Sequence, residues 1–317
     1  AAALAAAAPA ASGQSQDPSL ALSVGSKLKL SGFAQASYSW TNEGVDTFTL
    51  RRARLTLAGD VAPKVKIKLQ ADLTKSPVLL DAMVDVQLAS AFGLRIGQFY
   101  LPFGRECRIS TADLETVFRS QVSERLAPGR DIGSSGRDIG AQVFGQFSVF
   151  EYMAGVFNGS GINKPDNNQK KDVGARLAVQ PASGLSLGAS VYEGRTVPVS
   201  GGPEYARRRT GFDGALSLGG LLLRAEWMSG RDDRTSKDGW FLQGAWDVVP
   251  KKVQAVAKWD SYDPDRDASD DRTGILTLGG VWRLSDRTRI LANALWSRRQ
   301  GAESASRSLI LQLQAGF

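Results

Sequence analysis

The sequence predicts an all-β protein: a transmembrane, antiparallel, up-and-down β-barrel of about sixteen strands. Three observations carry this prediction. Hydrophobicity alternates with period two along nearly the whole chain. The connections alternate between short and long. Beyond the first dozen residues, no apolar run reaches the ~18 residues that a spanning helix needs.

The composition fits strands that show lipid one face and water the other. Hydrophobic residues make up 42% and charged residues 22%, as expected when lipid-facing and lumen-facing positions alternate. There is no histidine, which removes histidine-based catalytic triads, metal sites and pH switches together. An enzyme is therefore not expected, nor a cofactor or a metal. The acidic stretch 260–271 lacks the glycine and closing glutamate of a calcium loop. The single cysteine, Cys107, excludes an internal disulfide and reads as a free thiol in a loop. The net charge of +7 comes from 39 basic and 32 acidic residues. The bases are dispersed through strands and loops, so a positively biased pore accounts for them better than a nucleic-acid surface.

Taken in order, the chain opens with AAALAAAAPAASGQSQ. This reads as the tail of a secretory signal, with Ala8-Pro9-Ala10 as a small-x-small cleavage site; a flexible Ala-rich linker is the alternative. Residues 1–25 are expected outside the fold and 26–317 to form the barrel. KLKLSGFAQASYSW, from Lys27, puts Leu28, Leu30, Ala34, Ala36, Tyr38 and Trp40 on one face. VKIKLQADL and LLDAMVDVQL repeat the pattern, and further strands are expected near 46–61, 92–99, 137–146, 149–158, 171–180 and 185–193. The rest fall near 207–219, 221–229, 238–249, 253–262, 273–284, 288–298 and 307–317. Each approaches the ~10 residues of a tilted membrane strand.

Short connections are expected around Ala62-Pro63-Lys64, Ser90-Ala91, Phe147-Ser148, Pro181–Gly184, Gly219-Gly220, Pro250-Lys251 and Ser285–Arg287. Long ones include TNEGVD, 100–136, 158–171, 194–206, SGRDDRTSK, 262–271 and RRQGAESAS. Short turns on one side and long loops on the other are the habit of outer-membrane barrels, and the pattern puts both ends of the barrel on the short-turn side. The last strand, SLILQLQAGF, is amphipathic and closes on Phe317, like the assembly signal of bacterial outer-membrane proteins. Six of the seven tryptophans, all but Trp40, lie beyond Glu226; most of the seven fall on the apolar face near strand ends, as an interfacial girdle would.

FTLRRARLTLAGDV (48–61), LRIGQFYLPFGRE (94–106) and PGRDIG (128–133) resemble the phosphate-selective porin O and P family in order and spacing. The resemblance covers mainly residues 27–146. It implies a sixteen-stranded barrel in the bacterial outer membrane, usually a homotrimer, with the third outer loop folded into the lumen. It also implies lipid and lipopolysaccharide as surroundings and small anions or other small hydrophilic solutes as cargo. The loop is 100–136, the longest connection. It carries Arg105, Arg108, Arg119, Arg125 and Arg130 and no lysine, with Glu106, Asp113, Glu115, Glu124 and Asp131 against them. TADLETVFRSQVSERL within it has the spacing of a short helix through Leu114, Val117, Phe118 and Val122.

Strand parity selects the remaining candidates. Leu55 and Leu57 point outward, so Arg52 and Arg54 point into the lumen, as do Lys66, Lys68 and Arg95. Arg51 falls on the outer face near the rim unless a local bulge turns it. Counting across the turns, Asp72 should oppose Arg54, and Asp85 should oppose Lys68. The expected activity is passive diffusion of small hydrophilic solutes with modest anion preference, phosphate being one candidate. The alternatives are a general channel with little ionic choice and a plugged barrel acting as an anchor or adhesin.

Overall fold

A computed structural model describes residues 23–24, 28–197 and 202–317. The signal-remnant reading of the N-terminus lies outside the described residues, apart from β1 (Ser23–Val24), which pairs with Leu28 and Lys29. Sixteen further strands close the barrel. They are β2 (Leu28–Thr41), β3 (Thr47–Ala62), β4 (Val65–Asp72), β5 (Leu79–Ala89), β6 (Phe92–Tyr100), β7 (Arg137–Phe147), β8 (Phe150–Phe157) and β9 (Asp172–Ala182). The second half comprises β10 (Leu185–Thr196), β11 (Tyr205–Leu218), β12 (Leu221–Asp232), β13 (Thr235–Val249), β14 (Val253–Asp263), β15 (Thr273–Arg283), β16 (Thr288–Arg299) and β17 (Ser306–Gly316). Each pairs antiparallel with its sequence neighbour.

Closure is made by β17 on β2, with Leu309 opposite Trp40 and Gly316 opposite Phe33. Phe317 and Gly32 exchange backbone hydrogen bonds of 3.0 and 3.3 Å. A Cβ on Gly32 would come within 2.6 Å of the Arg54 carbonyl and 2.9 Å of the Phe317 ring, so the closing seam needs glycine there. Closure satisfies the strand edges, which a membrane-embedded sheet requires because lipid offers no hydrogen bonds.

Burial is inverted relative to a soluble domain. Leu55, Leu69, Val84, Leu242, Leu309 and Leu311 are exposed, whereas Gln35, Gln98, Gln243 and Gln312 are buried. The apolar parity faces lipid and the polar parity faces the interior, as the alternation predicts. All seven tryptophans lie on the exposed side.

Three sequence expectations are corrected, and one alternative left open is decided. SGRDDRTSK is not a long loop: β12 and β13 pair as far as Asp232 and Thr235, leaving only Asp233-Arg234 as the turn. Asp233 adopts φ 51° there, a left-handed conformation that aspartate tolerates in tight hairpins. The Lys68–Asp85 pairing is displaced by two residues, so Lys66 opposes Asp85 and Lys68 opposes Met83. An even displacement keeps every side chain on its own face. The loop helix covers only Gln121–Arg125 (α1), capped by Ser120, whose side chain accepts from the Ser123 N–H; residues 111–118 are irregular. Finally, Gln35 opposes Arg52 but Ala36 opposes Leu50. Arg51 is thus the extra residue of a β-bulge and turns away from the outer face.

Candidate functional site

Segment 101–136 makes its contacts on inward-facing positions around much of the barrel. The Glu226 carboxylate of β12 accepts the backbone N–H of Arg105 at 2.9 Å and that of Glu106. Arg105 Nε donates to Asp213 of β11 at 3.0 Å. Glu115 accepts from Arg224 and, at 2.9 Å, from Gln243. The Val117 N–H donates to Asn293 of β16 at 2.7 Å, and Lys258 Nζ of β14 donates to the Phe118 carbonyl at 2.7 Å. Gln314 of β17 donates to the Ala112 carbonyl at 3.2 Å, and Gln35 of β2 donates to that of Thr111 at 3.1 Å. Only a segment running inside the barrel can meet these strands on their inner face.

An apolar cluster fastens the same segment. Leu101, Phe103, Cys107, Val122 and Leu126 pack with Tyr192, Met228, Phe241 and Tyr262 of β10, β12, β13 and β14. Those four wall residues stand at inward positions, where strand parity otherwise puts polar groups. Their apolar character is the one signal in the sequence that marks the docking surface, and strand parity alone does not single it out. Burial pushes the Cys107 thiol up to about 12. Val117 makes a second, smaller cluster with Val281, Leu291 and Ile310.

The ten predicted basic residues separate into three groups. Arg105, Arg119 and Arg130 fasten the loop. Arg119 donates to the carbonyls of Glu106 and Ile109, and Arg130 donates to Glu124 at 2.9 Å and to the Cys107 carbonyl at 2.8 Å. Lys68, Arg95 and Arg54 are neutralised on the wall. Lys68 pairs with Asp81 at 2.7 Å, and Arg95 grips Asp85 through two bonds of 2.7 and 2.8 Å. Arg54 pairs with Asp72 at 2.9 Å as the register predicts, both side chains being buried. Asp72 also accepts from Thr74 Oγ1 at 2.7 Å.

The third group keeps its charge without a close carboxylate. Arg52 donates to the neutral Gln35 amide at 2.8 Å. Arg51, not one of those ten, is turned by the bulge and joins this group, lying over the Phe118 ring of the loop at 4.3 Å. Arg125 lies exposed near the Tyr262 ring at 5.8 Å. Lys66 is exposed and makes no short ion pair among the described residues, standing opposite Asp60 on one side and, on the other, Asp85, which Arg95 holds. Arg108 has only a loose contact with Glu151 at 3.9 Å. The charges bearing most on Arg52 are Arg54, Arg51 and Arg119, all of its own sign. Lys75, which the sequence pattern does not single out, reaches Ser135 at 3.3 Å and feels Arg54 and Arg52. Arg51, Arg52, Arg54 and Lys75 therefore form a basic surface opposite the loop around Phe118, with Asp72 and Glu124 the acids in range.

Most of the wall acids, by contrast, are engaged. Asp81 is held by Arg137, Asp213 by Arg176 and Arg105, and Asp247 by Arg283. Asp138 accepts two backbone N–H groups at 2.7 Å, and Asp260 accepts from Gln121 at 2.8 Å. Near-equal numbers of inward acids and bases therefore do not give an evenly charged path.

Among known proteins, the family model described as phosphate-selective porin O and P matches residues 31–207. No curated protein sequence matches the chain. The fold is similar to an anion-selective porin from Comamonas acidovorans, at 15% identity and TM-score 0.72, covering 92% of this chain and 99% of that one. It is also similar to OmpT, an outer membrane protein of Vibrio cholerae, at 12% identity and TM-score 0.71, covering 94% and 100%. A trimer form of the in-vitro folded Vibrio cholerae OmpT aligns at 11% identity and TM-score 0.66, covering 92% and 99%.

Proposed function

This chain belongs to the phosphate-selective porin O and P family and is an outer-membrane porin, and from that footing we propose that its channel favours small anions, phosphate among them, through the basic surface of β3. The observation that carries the proposal is the asymmetry of pairing. Most acids on the wall have donors, whereas Arg51 and Arg52 have only a ring and a neutral amide. The uncompensated charge on this part of the wall is positive. A channel needs this field and a wet path, with no bond made or broken. Guanidinium suits oxyanions because it stays charged and can bind two oxygens at once. With no lysine in the loop and few fixed partners in line, the contacts are weak enough to release the ion.

In this reading Arg52 carries the role expected for it from the sequence. Arg54 contributes less, because Asp72 offsets it, and Arg51 takes its place. Lys66, Arg108 and Arg125 add to the field along the approach, whereas Arg95 is offset by Asp85. The double substitution Arg51→Ala with Arg52→Ala is expected to move the zero-current potential of the reconstituted channel toward cations in a salt gradient. The shift should grow at low ionic strength, because screening cuts interactions beyond ~8–10 Å at physiological salt. An unchanged potential at low salt, with the barrel intact, would remove the assigned role.

A plugged barrel is the second reading, favoured by the apolar packing of the loop across β10–β14. Bilayer recording separates the two, since a plugged barrel carries no current. The family implies a homotrimer, and cross-linking in native membranes would test it.

A further inference from the structure

Phe118 is the one large apolar side chain of segment 101–136 that is exposed, at 39%, whereas Phe103, Leu114, Val117 and Val122 are buried. Its position follows from how the backbone beside it is held. The Val117 N–H donates to Asn293 of β16. The Phe118 carbonyl accepts from Lys258 of β14 and from Thr116 Oγ1, each at 2.7 Å. Val117 turns into the apolar cluster with Val281 and Leu291. The Phe118 ring is thereby presented away from that wall, to Arg51 of β3.

Arginines stand beside rings at several places in this lumen. The contacts differ in whether the ring is open and whether the guanidinium has a carboxylate. Arg95 lies near Phe99 and Phe144 but is held by Asp85. Arg54 lies near Phe33 but is held by Asp72. Arg137, over Tyr100, is held by Asp81, and Arg207, near Tyr192, by Asp131 and Asp172. Arg125 lacks a carboxylate, but the Tyr262 ring beside it is buried. Among the described residues, an exposed ring and a guanidinium without a carboxylate coincide only at Phe118 and Arg51. Arg52, next along β3, brings a second guanidinium whose partner is the neutral Gln35 amide. Glu124, the acid that bears on Arg51, is itself held by Arg130 at 2.9 Å.

We propose that Phe118, Arg51 and Arg52 form a binding station for aromatic carboxylates of the benzoate class. The proposal rests on the anion-preferring channel and names a substrate class for its basic surface. A benzoate-like ion carries the two groups that the station receives. Its carboxylate would take donors from the two guanidinium groups, which bind oxyanions through a planar fork. Its ring would lie on the part of Phe118 that Arg51 leaves uncovered, offset or edge-on, as aromatic pairs prefer. A small inorganic anion uses only the arginines, and an uncharged arene uses only the ring. One ring pair raises affinity by only about fivefold, so the ion pauses and is released, as conduction requires.

The test is planar-bilayer recording of the whole protein in potassium chloride at pH 7, with acetate, cyclohexanecarboxylate or benzoate added. The reading is the concentration of each anion that halves the chloride current. Benzoate should act at a concentration about fivefold lower than either of the others. Phe118→Leu should bring benzoate to the level of cyclohexanecarboxylate, and Phe118→Tyr should keep the difference. Arg51→Ala with Arg52→Ala should weaken all three anions. Each ratio is taken on conducting channels, so an unfolded variant cannot imitate the result. Equal action of benzoate and cyclohexanecarboxylate on the native channel overturns the proposal, and so does a benzoate advantage that survives Phe118→Leu. The zero-current potential of the native protein in a potassium chloride gradient tests the anion preference separately. With that preference present and the benzoate advantage absent, only the aromatic station falls.

Discussion

Arginine does opposite work on two sides of the same lumen. On β11, Arg207 and Arg209 are buried, and both pair with Asp131 of the loop; next to them, on β9, Arg176 is buried against Asp213. On β3, Arg51 and Arg52 face the lumen with no carboxylate partner, although Arg54 two residues on has one. The first group holds a loop in place, and the second is the group proposed to supply a field. Residue type and inward direction are the same in both. The difference lies in whether a carboxylate from another segment arrives within hydrogen-bond distance, and that is decided by the path of 101–136.

The sharpest way to break this comparison is to remove a carboxylate from the anchoring side. Asp213→Ala leaves Arg176 and Arg105 without their shared partner in a buried setting. Removing one side of a buried pair costs about 3–5 kcal/mol, so denaturant unfolding of the reconstituted barrel should show a loss of that order. A loss below about 1 kcal/mol would mean that this cluster does not anchor the loop.

The same substitution has a chemical readout. Cys107 is 4% exposed, and burial pushes its thiol up to about 12. It should stay protonated and unlabelled by a maleimide at pH 8 in the native protein. Loosening the loop by Asp213→Ala should make it react, since the thiolate is the reactive form and solvent access lowers its pKa. Rapid labelling of the native protein would contradict the packing of the loop.

On the field side, Asp72→Asn sharpens the comparison by uncovering Arg54. It should shift the zero-current potential toward anions, opposite in sign to the Arg51→Ala, Arg52→Ala double variant. The shift should be about half as large, since one charge changes instead of two. A shift toward cations would mean that the β3 surface does not govern selectivity.

The smallest effect belongs to Arg208, which sits between Arg207 and Arg209 but points outward. It pairs with Glu193, and both side chains are 68% exposed. Exposed pairs contribute about 0.2–1 kcal/mol, so Arg208→Ala should change stability by no more than that and leave selectivity unaltered. A larger loss in unfolding experiments would show that the contrast between inward and outward arginines on β11 is weaker than their burial implies.

Much of this molecule is legible in its sequence. Strand positions, the closed barrel, the long third loop and the inward parity of Arg52 and Arg54 follow from a period-two pattern broken by turn residues. The opposition of Arg54 and Asp72 follows from counting across one short turn. The counting fails at Lys68, whose partner is Asp81 rather than Asp85. It also fails at SGRDDRTSK, where polar residues continue a hairpin above the membrane. Polar composition there speaks of exposure to water and not of whether the backbone is paired.

Face is a local property: successive side chains in a strand point to opposite sides, so alternation in the sequence determines which residues meet lipid and which meet the lumen. Register shifts by even numbers leave that unchanged. Arg51 shows where the argument stops. It is the one residue of β3 left over between the partners of Gln35 and Ala36, which inverts its parity, and nothing in FTLRRARLTL marks the bulge. Which charges are neutralised, which arginines anchor the loop and which are left facing the path depend on contacts between residues as far apart as Arg105 and Asp213 or Gln35 and Thr111. Those contacts exist only once the barrel has closed around its loop, because electrostatic pairing acts over a few ångströms of space and takes no account of distance along the chain.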